Sequence, residues 1–282
     1  MKIVVLTSET PVNVWLVNRL LGLHSIAGIV LERRPLALTA REKVERRRSM
    51  IRRYGMARTV NKLLFNWVRS HVLAAAEART VSQSLWPGGA TPAYERQVPT
   101  LVVASVNDAA CIAFIREQAP DVIAVCWTSV LKPEVFTLAS KGTVNIHTGI
   151  TPEYRSADPI FWALYRGEPE KVGVTIHYID RGIDTGPIIH QETVPVHAED
   201  SLASIYVRCI RRGAELYSRA LDEIENGSAR TVLRPGVASR AFLSVDLGLV
   251  QYLIFRWRFW RLAARLRRDD RAASSTVTET TR

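Results

Sequence analysis

A carboxamide and an imidazole lie two positions apart at the end of a short apolar segment. Asn145 and His147 sit at the end of the segment 143–146, whose composition is typical of a buried strand. Side chains two residues apart in a strand point to the same side, so the two groups are predicted to face one space. The pair would place a hydrogen-bond donor beside a group that titrates near neutral pH. On its own, such a pair is more often structural than catalytic.

A second polar loop follows the predicted strand 172–179. It reads DRGIDTG over residues 180–186, and its two glycines allow a tight backbone path. Functional groups in parallel α/β sheets gather at the carboxyl ends of the strands. The loop is therefore predicted to carry Asp184 into the same cleft as Asn145 and His147. The alternative is that its two aspartates only close a turn.

Other ligand-binding patterns are missing from the sequence. Neither GxGxxG nor GxxxxGK occurs, and the three cysteines are far apart, so no nucleotide-phosphate loop, disulfide framework or thiolate metal site is predicted. The remaining histidines show no ligand spacing, so no metal is predicted. His177 is interpreted as a packed or surface residue of a strand. These histidines are His24, His71, His177, His190 and His197.

The order of apolar segments predicts an α/β fold. A strand, a helix and a strand open the chain, and the alternation resumes after residue 97, which favours a Rossmann-like, mostly parallel sheet. Residues 1–226 are predicted to form a catalytic domain with a basic helical insertion at 34–97, and residues 227–282 a basic amphipathic helical tail. The predicted strands are 2–7, 26–31, 101–104, 121–126, 143–146, 172–179 and 188–194, and the predicted helices 13–23, 41–54, 57–77, 107–118, 133–139, 157–166 and 201–224.

The composition is that of an ordinary globular protein. The 282 residues are 47% hydrophobic and 23% charged, which excludes disorder over the whole chain. No run of 18 apolar residues occurs, and the first residues do not have the pattern of a secretory signal. The sequence therefore predicts a cytoplasmic protein.

The net charge of +11 is concentrated in two regions. Residues 33–69 hold twelve basic and two acidic side chains, and residues 254–272 hold seven arginines and two aspartates. The rest of the chain is slightly acidic. Such basic regions favour contact with RNA, an anionic membrane or an acidic substrate, and the alternative is a solvated helix face.

The two polar loops and the strand between them resemble one known family. Residues 145–189, NIHTGITPEYRSADPIFWALYRGEPEKVGVTIHYIDRGIDTGPII, are similar to the folate-dependent formyltransferases of methionyl-tRNA, glycinamide ribonucleotide and amino sugars. The shared elements include the NxH pair, the Tyr-Arg pair and the DxGxDTG loop. Upstream, residues 105–108, 120–123 and 131–133 also match. The resemblance covers about residues 1–32 and 98–224.

The resemblance implies transfer of a formyl group from 10-formyltetrahydrofolate to a primary amine. It implies that Asn145 stabilises the oxyanion, that His147 shares this role and moves a proton, and that Asp184 supports the histidine and the attacking amine. It also implies that the folate lies against mostly main-chain groups of two loops. These residues are Ser129, Val130, Leu131, Ile179, Asp180 and Gly182.

Three positions depart from the family pattern. Gly149 replaces a small residue that is often serine, Ser156 replaces the glycine after the Tyr-Arg pair, and one residue is inserted near 169–172. The glycine-rich phosphate loop of the purine enzymes is missing after the first strand, which disfavours glycinamide ribonucleotide as the acceptor.

The sequence is compatible with several acceptors and functions. A small amine such as an amino sugar is favoured, because residues 227–282 have a helical pattern and the tRNA enzymes end in a β-barrel domain. The alternatives are a methionyl-tRNA formyltransferase, a formyltetrahydrofolate hydrolase and a non-catalytic protein that binds RNA or a membrane. Tryptophans and arginines in 247–268 favour a peripheral contact of the protein with the inner, anionic face of a membrane. Burial of these helices against the core or in a homo-oligomer is the alternative.

Overall fold

The computed structural model describes residues 1–33, 39–89, 92–95 and 97–280, and only the backbone of Ser156 and of 270–280. Arg34 of the predicted basic region therefore lies outside the described residues, and so do the side chains of Asp270 and Arg271. So does the side chain of Ser156, the second departure from the family pattern.

A seven-stranded sheet forms the centre of the protein, in the order β3-β2-β1-β4-β5-β7-β8. The first five strands in this order are parallel, whereas β7 runs antiparallel to both β5 and β8. The predicted Rossmann-like, mostly parallel α/β fold is confirmed. The strands are β1 (Ile3–Ser8), β2 (Ile26–Glu32), β3 (Thr100–Val103), β4 (Val122–Cys126), β5 (Thr143–His147), β7 (Gly173–Tyr178) and β8 (Ile188–Thr193).

Helices cover both faces of the sheet and close two apolar layers. On one face, α1 and α8 pack on β1, β4 and β5, and on the other face α5 and α6 pack on the alternate side chains of β1 and β4. This alternation is what a strand with both faces buried requires. The helices are α1 (Pro11–Leu23), α5 (Ala109–Gln118), α6 (Pro133–Phe136), α7 (Pro159–Arg166) and α8 (Leu202–Glu225).

The insertion is a helical layer beside the sheet. It contains α2 (Ala40–Tyr54), α3 (Met56–Val68) and α4 (Ala74–Leu85), with one π-helical turn at Arg69–Leu73 between α3 and α4. The second predicted helix, 57–77, is therefore too short, because the helix continues through the π turn to Leu85. Leu85 is buried between α1 and α8, which explains why the helix extends to this residue.

The C-terminal region folds back onto the segment that follows β5. A short strand, β9 (Arg240–Phe242), pairs with β6 (Tyr154–Ser156), and α9 (Leu249–Thr280) packs on α7 and α3. Phe65 of α3, Phe161 of α7 and Phe255 of α9 belong to one buried aromatic cluster. The insertion and the tail thus pack together. Among the described residues, no helix is long and apolar enough to cross a membrane.

Candidate active site

Strand β5 brings Asn145 and His147 to the same side of the sheet. The imidazole is 7% exposed, and its Nε2 lies 2.9 Å from the carbonyl oxygen of Tyr154. A carbonyl oxygen only accepts hydrogen bonds, so Nε2 carries the proton and donates it. Nδ1 is then the nitrogen that remains for chemistry, and it lies 3.6 Å from Oδ2 of Asp184.

The two aspartates of the loop after β7 have different partners. Asp180 closes the turn, since its Oδ1 accepts hydrogen bonds from the Gly182 amide at 2.9 Å and from the Thr185 hydroxyl at 2.6 Å. Asp184 has a positive φ of 51° and places its carboxylate in the cleft beside His147. Asp180 thus closes a turn, which was the alternative prediction for this loop, and Asp184 lies in the cleft as predicted.

His177 is a packed residue of a strand, as predicted, and is 2% exposed in β7. It also belongs to the site, because its Nε2 accepts a hydrogen bond from Asn145 Nδ2 at 3.2 Å and lies 3.5 Å from Asp184 Oδ1. Its Nδ1 donates to the Tyr178 carbonyl at 2.8 Å, which fixes the tautomer. His177 thus orients the Asn145 amide. His177 belongs to the site because the antiparallel pairing of β5 with β7 places it directly beside Asn145.

Burial lowers the pKa of His147 below its ordinary value of 6.5. The Asp184 carboxylate and the hydrogen bond to Tyr154 oppose this shift by favouring the charged imidazole, and His177 adds to it. The pKa remains lowered, so His147 is neutral at neutral pH and can accept a proton at Nδ1.

A cavity of about 630 Å³ lies in front of these side chains. The nine predicted catalytic and folate-binding residues all line it, together with His177 and with Phe65, Arg69 and Glu77 of the insertion. The nine are Asn145, His147, Asp184, Ser129, Val130, Leu131, Ile179, Asp180 and Gly182. A cavity of this size, with a few polar groups on an apolar wall, fits a small organic ligand. Within the described residues, no group of His, Cys, Asp or Glu side chains is arranged to hold a metal ion.

A family model described as Formyl transferase matches residues 61–221, more than half of the chain. The chain belongs to the formyl transferase family. The methionyl-tRNA formyltransferases of Pelotomaculum thermopropionicum and Syntrophus aciditrophicus are 33% and 35% identical over 150 and 159 residues. These matches cover 53% and 55% of this chain and 48% and 51% of the relatives. The chain therefore spans about half the length of the curated relatives it matches.

Solved structures of formyltransferases share the fold at low sequence identity. The N-formyltransferase of Helicobacter canadensis, in complex with folinic acid and dTDP-3-aminofucose, has a TM-score of 0.54 and 14% identity, with 92% of this chain and 81% of that chain covered. The phosphoribosylglycinamide formyltransferase of Anaplasma phagocytophilum has a TM-score of 0.53 and 18% identity, with 85% and 97% covered.

Two polar side chains, Glu32 and Asn107, hold the loop 129–131. Glu32 is 3% exposed and accepts hydrogen bonds from the Ser129 amide at 2.7 Å and from the Ser129 hydroxyl. Asn107 donates to the Val130 carbonyl at 3.0 Å and accepts from the Lys132 amide at 2.8 Å. The Asn107 side chain thus fixes the backbone of the cavity wall.

The C-terminal region holds the loop that follows His147. Arg234 forms a two-pronged pair with the buried Glu153, with distances of 2.9 and 3.1 Å, and also donates to the Thr151 carbonyl at 3.3 Å. Paired hydrogen bonds between a guanidinium and a carboxylate fix orientation as well as distance. Residues outside the predicted domain 1–226 therefore help to position the loop that follows His147.

The backbone at Gly149 explains the first departure from the family pattern. A Cβ at this position would lie 2.5 Å from Cβ of Pro159 and 2.7 Å from Nε2 of His147. Such contacts are shorter than real Cβ atoms show, so a side chain here would displace the imidazole. Glycine thus allows the loop to pass close to His147 in this chain.

Arg155 connects the two loops of the active site. Its Nη1 donates to the carbonyl oxygen of Ile183, directly before Asp184, at 3.0 Å, and its Nε donates to the Ser239 hydroxyl at 2.6 Å. Because the guanidinium reaches two partners in fixed directions, it holds the aspartate loop against the histidine loop.

We expect Arg155→Lys to lower kcat about tenfold, because one ammonium group cannot replace both contacts and a small displacement of a catalytic group is costly. The melting temperature should change little. Ser239→Ala, which removes only the outer contact, is the matched control and should retain most of the activity. Steady-state rates and thermal unfolding of the two variants check this; an equal loss in both would show that the contact to Ile183 has no special role.

Proposed function

We propose that this protein transfers a formyl group from 10-formyltetrahydrofolate to the nitrogen of a primary amine. One observation carries the proposal: Asn145 and His147 of β5 and Asp184 of the loop after β7 line one cavity in a chain of the formyl transferase family. His147 lies 3.6 Å from Asp184, and His177 lies between Asn145 and Asp184, at 3.2 and 3.5 Å. Asn145, His147 and Asp184 are a donor, a proton acceptor and a carboxylate, the groups that transfer at a carbonyl carbon requires.

The folate is proposed to lie along the main-chain groups of two loops. Residues 129–131 and 179–182 line the cavity, and the first loop is rigidly held by Glu32 and Asn107. The related protein of Helicobacter canadensis binds folinic acid, itself a formylated folate, which supports a formylated folate as the donor.

Asn145 is proposed to stabilise the oxygen of the formyl group as it becomes negative. One N–H of its amide is used by His177, so the second N–H can point into the cavity. Attack by the amine forms a bond from its nitrogen to the formyl carbon, and the carbonyl oxygen gains the charge. A donor held in advance at this place contributes roughly 3–4 kcal/mol in comparable sites.

His147 is proposed to carry the proton that the reaction moves. The amine attacks in its neutral form. As a neutral imidazole, His147 then accepts at Nδ1 the proton that the amine nitrogen loses once it has bonded to the formyl carbon, and Asp184 at 3.6 Å stabilises the imidazolium. The proton then passes to N10 of the folate, whose bond to the formyl carbon breaks. Proton transfer of this kind contributes about 10²–10⁴ in rate.

We expect Asp184→Asn to shift the pH profile as well as lower kcat. Asp184 raises the pKa of His147 against the effect of burial, so its removal lowers that pKa further. The acid limb of the kcat/KM profile, where activity rises as His147 loses its proton, should move to lower pH. The assay uses an acceptor amine with a high pKa, so that the amine itself does not titrate in the pH range of this acid limb. An unchanged acid limb would contradict the assignment of this limb to His147.

A small amine such as an amino sugar is the proposed acceptor. The cavity wall beyond the three catalytic groups is formed by side chains of the insertion and the tail, among them Phe65, Tyr252 and the ion pair of Arg69 with Glu77 at 3.4 Å. Aromatic rings beside a charged pair suit a polar ring compound with apolar edges. The Helicobacter canadensis relative binds the nucleotide-linked amino sugar dTDP-3-aminofucose.

Methionyl-tRNA is the second candidate acceptor. The relatives at 33–35% identity are methionyl-tRNA formyltransferases, and α2 exposes its arginines without burying a single residue. Phosphate contacts by these arginines would make binding sensitive to salt. A screen with nucleotide-linked amino sugars and charged initiator tRNA separates the two acceptors.

Turnover of 10-formyltetrahydrofolate with and without candidate amines tests the proposed activity itself. The proposal predicts turnover that depends on the amine and yields a formamide. Turnover without an amine would identify a hydrolase, and absence of folate turnover with every amine would favour a non-catalytic binding protein. A cytoplasmic location and a homo-oligomeric state stay predictions from the sequence.

A further inference from the structure

Large apolar side chains cover the outward faces of α3 and α9. They recur at helical spacing and are 44–65% exposed, although each helix also buries an apolar face in the protein. The outer face formed by these side chains is called the tryptophan face below. Its members are Met56, Val60, Leu64 and Trp67 of α3 and Val250, Leu253, Trp257 and Trp260 of α9.

The two helices point these side chains away from the same core. Phe65 of α3 and Phe255 of α9 are 4% and 2% exposed and lie in one buried cluster, so the opposite sides of both helices face outward. Asn61 of α3 donates to Gln251 at 2.8 Å and accepts from the Val250 amide at 3.0 Å, which holds the helices side by side. The exposed sides of α3 and α9 therefore belong to two helices that lie next to each other.

Positive charge surrounds the tryptophan face. The guanidinium of Arg261 lies 4.8 Å from the Trp257 ring, and further exposed arginines follow on both flanks of α9. Helix α2, which contacts α3, adds a second group of exposed arginines. The flanking residues of α9 are Arg256, Arg261, Arg265, Arg267 and Arg268, and those of α2 are Arg46, Arg47, Arg48, Arg52 and Arg53.

We propose that the tryptophan face docks on an anionic lipid bilayer. Apolar side chains with tryptophans enter the interface between headgroups and acyl chains, and arginines on the flanks bind the anionic headgroups. Charge complementarity favours this occupant over a second copy of the chain, because two such surfaces would bring their arginines together. Phe65 and Tyr252, on the inner sides of the same helices, line the cavity, so docking would hold the active site close to the bilayer.

Sedimentation with lipid vesicles tests this proposal on the full-length protein. We expect binding to vesicles of phosphatidylcholine with 30% phosphatidylglycerol that is at least about tenfold stronger than to pure phosphatidylcholine and that weakens at high salt. The double substitution Trp257→Ser/Trp260→Ser should weaken it at least about tenfold. Leu23→Ser/Leu233→Ser, which changes two equally exposed apolar side chains elsewhere, is the matched control and should bind normally.

Charge variants separate the roles of arginine and tryptophan. Arg261→Gln/Arg265→Gln should weaken binding to anionic vesicles, whereas Arg116→Gln on α5 should not. Unchanged melting temperatures show that each variant is folded. Absence of binding to anionic vesicles would overturn the proposal, also where the protein binds RNA at the same salt concentration. A dimer that forms without lipid and that Trp257→Ser/Trp260→Ser dissociates would overturn it too.

Discussion

Asn145→Ala is expected to lower the rate of formyl transfer by a factor of about 100 to 1,000, the usual cost of removing an oxyanion donor. The side chain is half-buried and held by His177, so its amide is already oriented before substrate binds. A preorganised donor contributes mainly in the transition state, so kcat should fall and the dissociation constant of the folate should change little. Steady-state rates and folate titration of the variant check both expectations.

The matched control for Asn145→Ala is His177→Gln. This variant keeps the Asn145 amide and changes only the group that orients it, so its loss should be clearly smaller. Since Asn145 and His177 are paired across β5 and β7, melting temperatures of both variants show whether the sheet remains intact. A near-normal rate for Asn145→Ala would refute the proposed role of the amide.

His147→Ala is expected to lower kcat at least about a hundredfold, because it removes the group that is proposed to carry the proton between the amine and N10. The side chain is buried, and its Nδ1 faces Asp184 while Nε2 is occupied by Tyr154. The acid limb attributed to His147 should also disappear from the pH profile. Rates measured across the pH range check this.

Added imidazole provides the control for His147→Ala. The space left by the side chain lies on the cavity, so imidazole in solution should restore part of the activity of the variant and leave Asn145→Ala unchanged. A variant that retains its acid limb, or a rate within a few-fold of the unmodified protein, would show that another group moves the proton.

The sequence predicts the central elements because each has a local signature. Apolar segments at the positions of β1, β4 and β5 and the turn residues of the 180–186 loop identify the sheet and the residues at its edge. The spacing of Asn145 and His147 in β5 is enough to place both on one side. The site can thus be predicted as far as it depends on residues close in sequence.

The remaining parts depend on contacts between distant residues. His177 belongs to the site only because β7 runs antiparallel to β5, and a short strand does not show in which direction it pairs. The hydrogen bond of Asn107 to Val130 and the pairing of β9 with β6 are likewise set by the tertiary structure. The lowered pKa of His147 follows from burial, which the sequence around it does not define.

The most direct measurement is the position of the formyl group in a crystal structure with a non-reactive analogue of 10-formyltetrahydrofolate. The proposed mechanism predicts the formyl oxygen within about 3 Å of Nδ2 of Asn145, with the carbon between Asn145 and the edge formed by His147 and Asp184. A folate that binds outside this cavity, or one whose formyl carbon lies beyond reach of these three side chains, would contradict it.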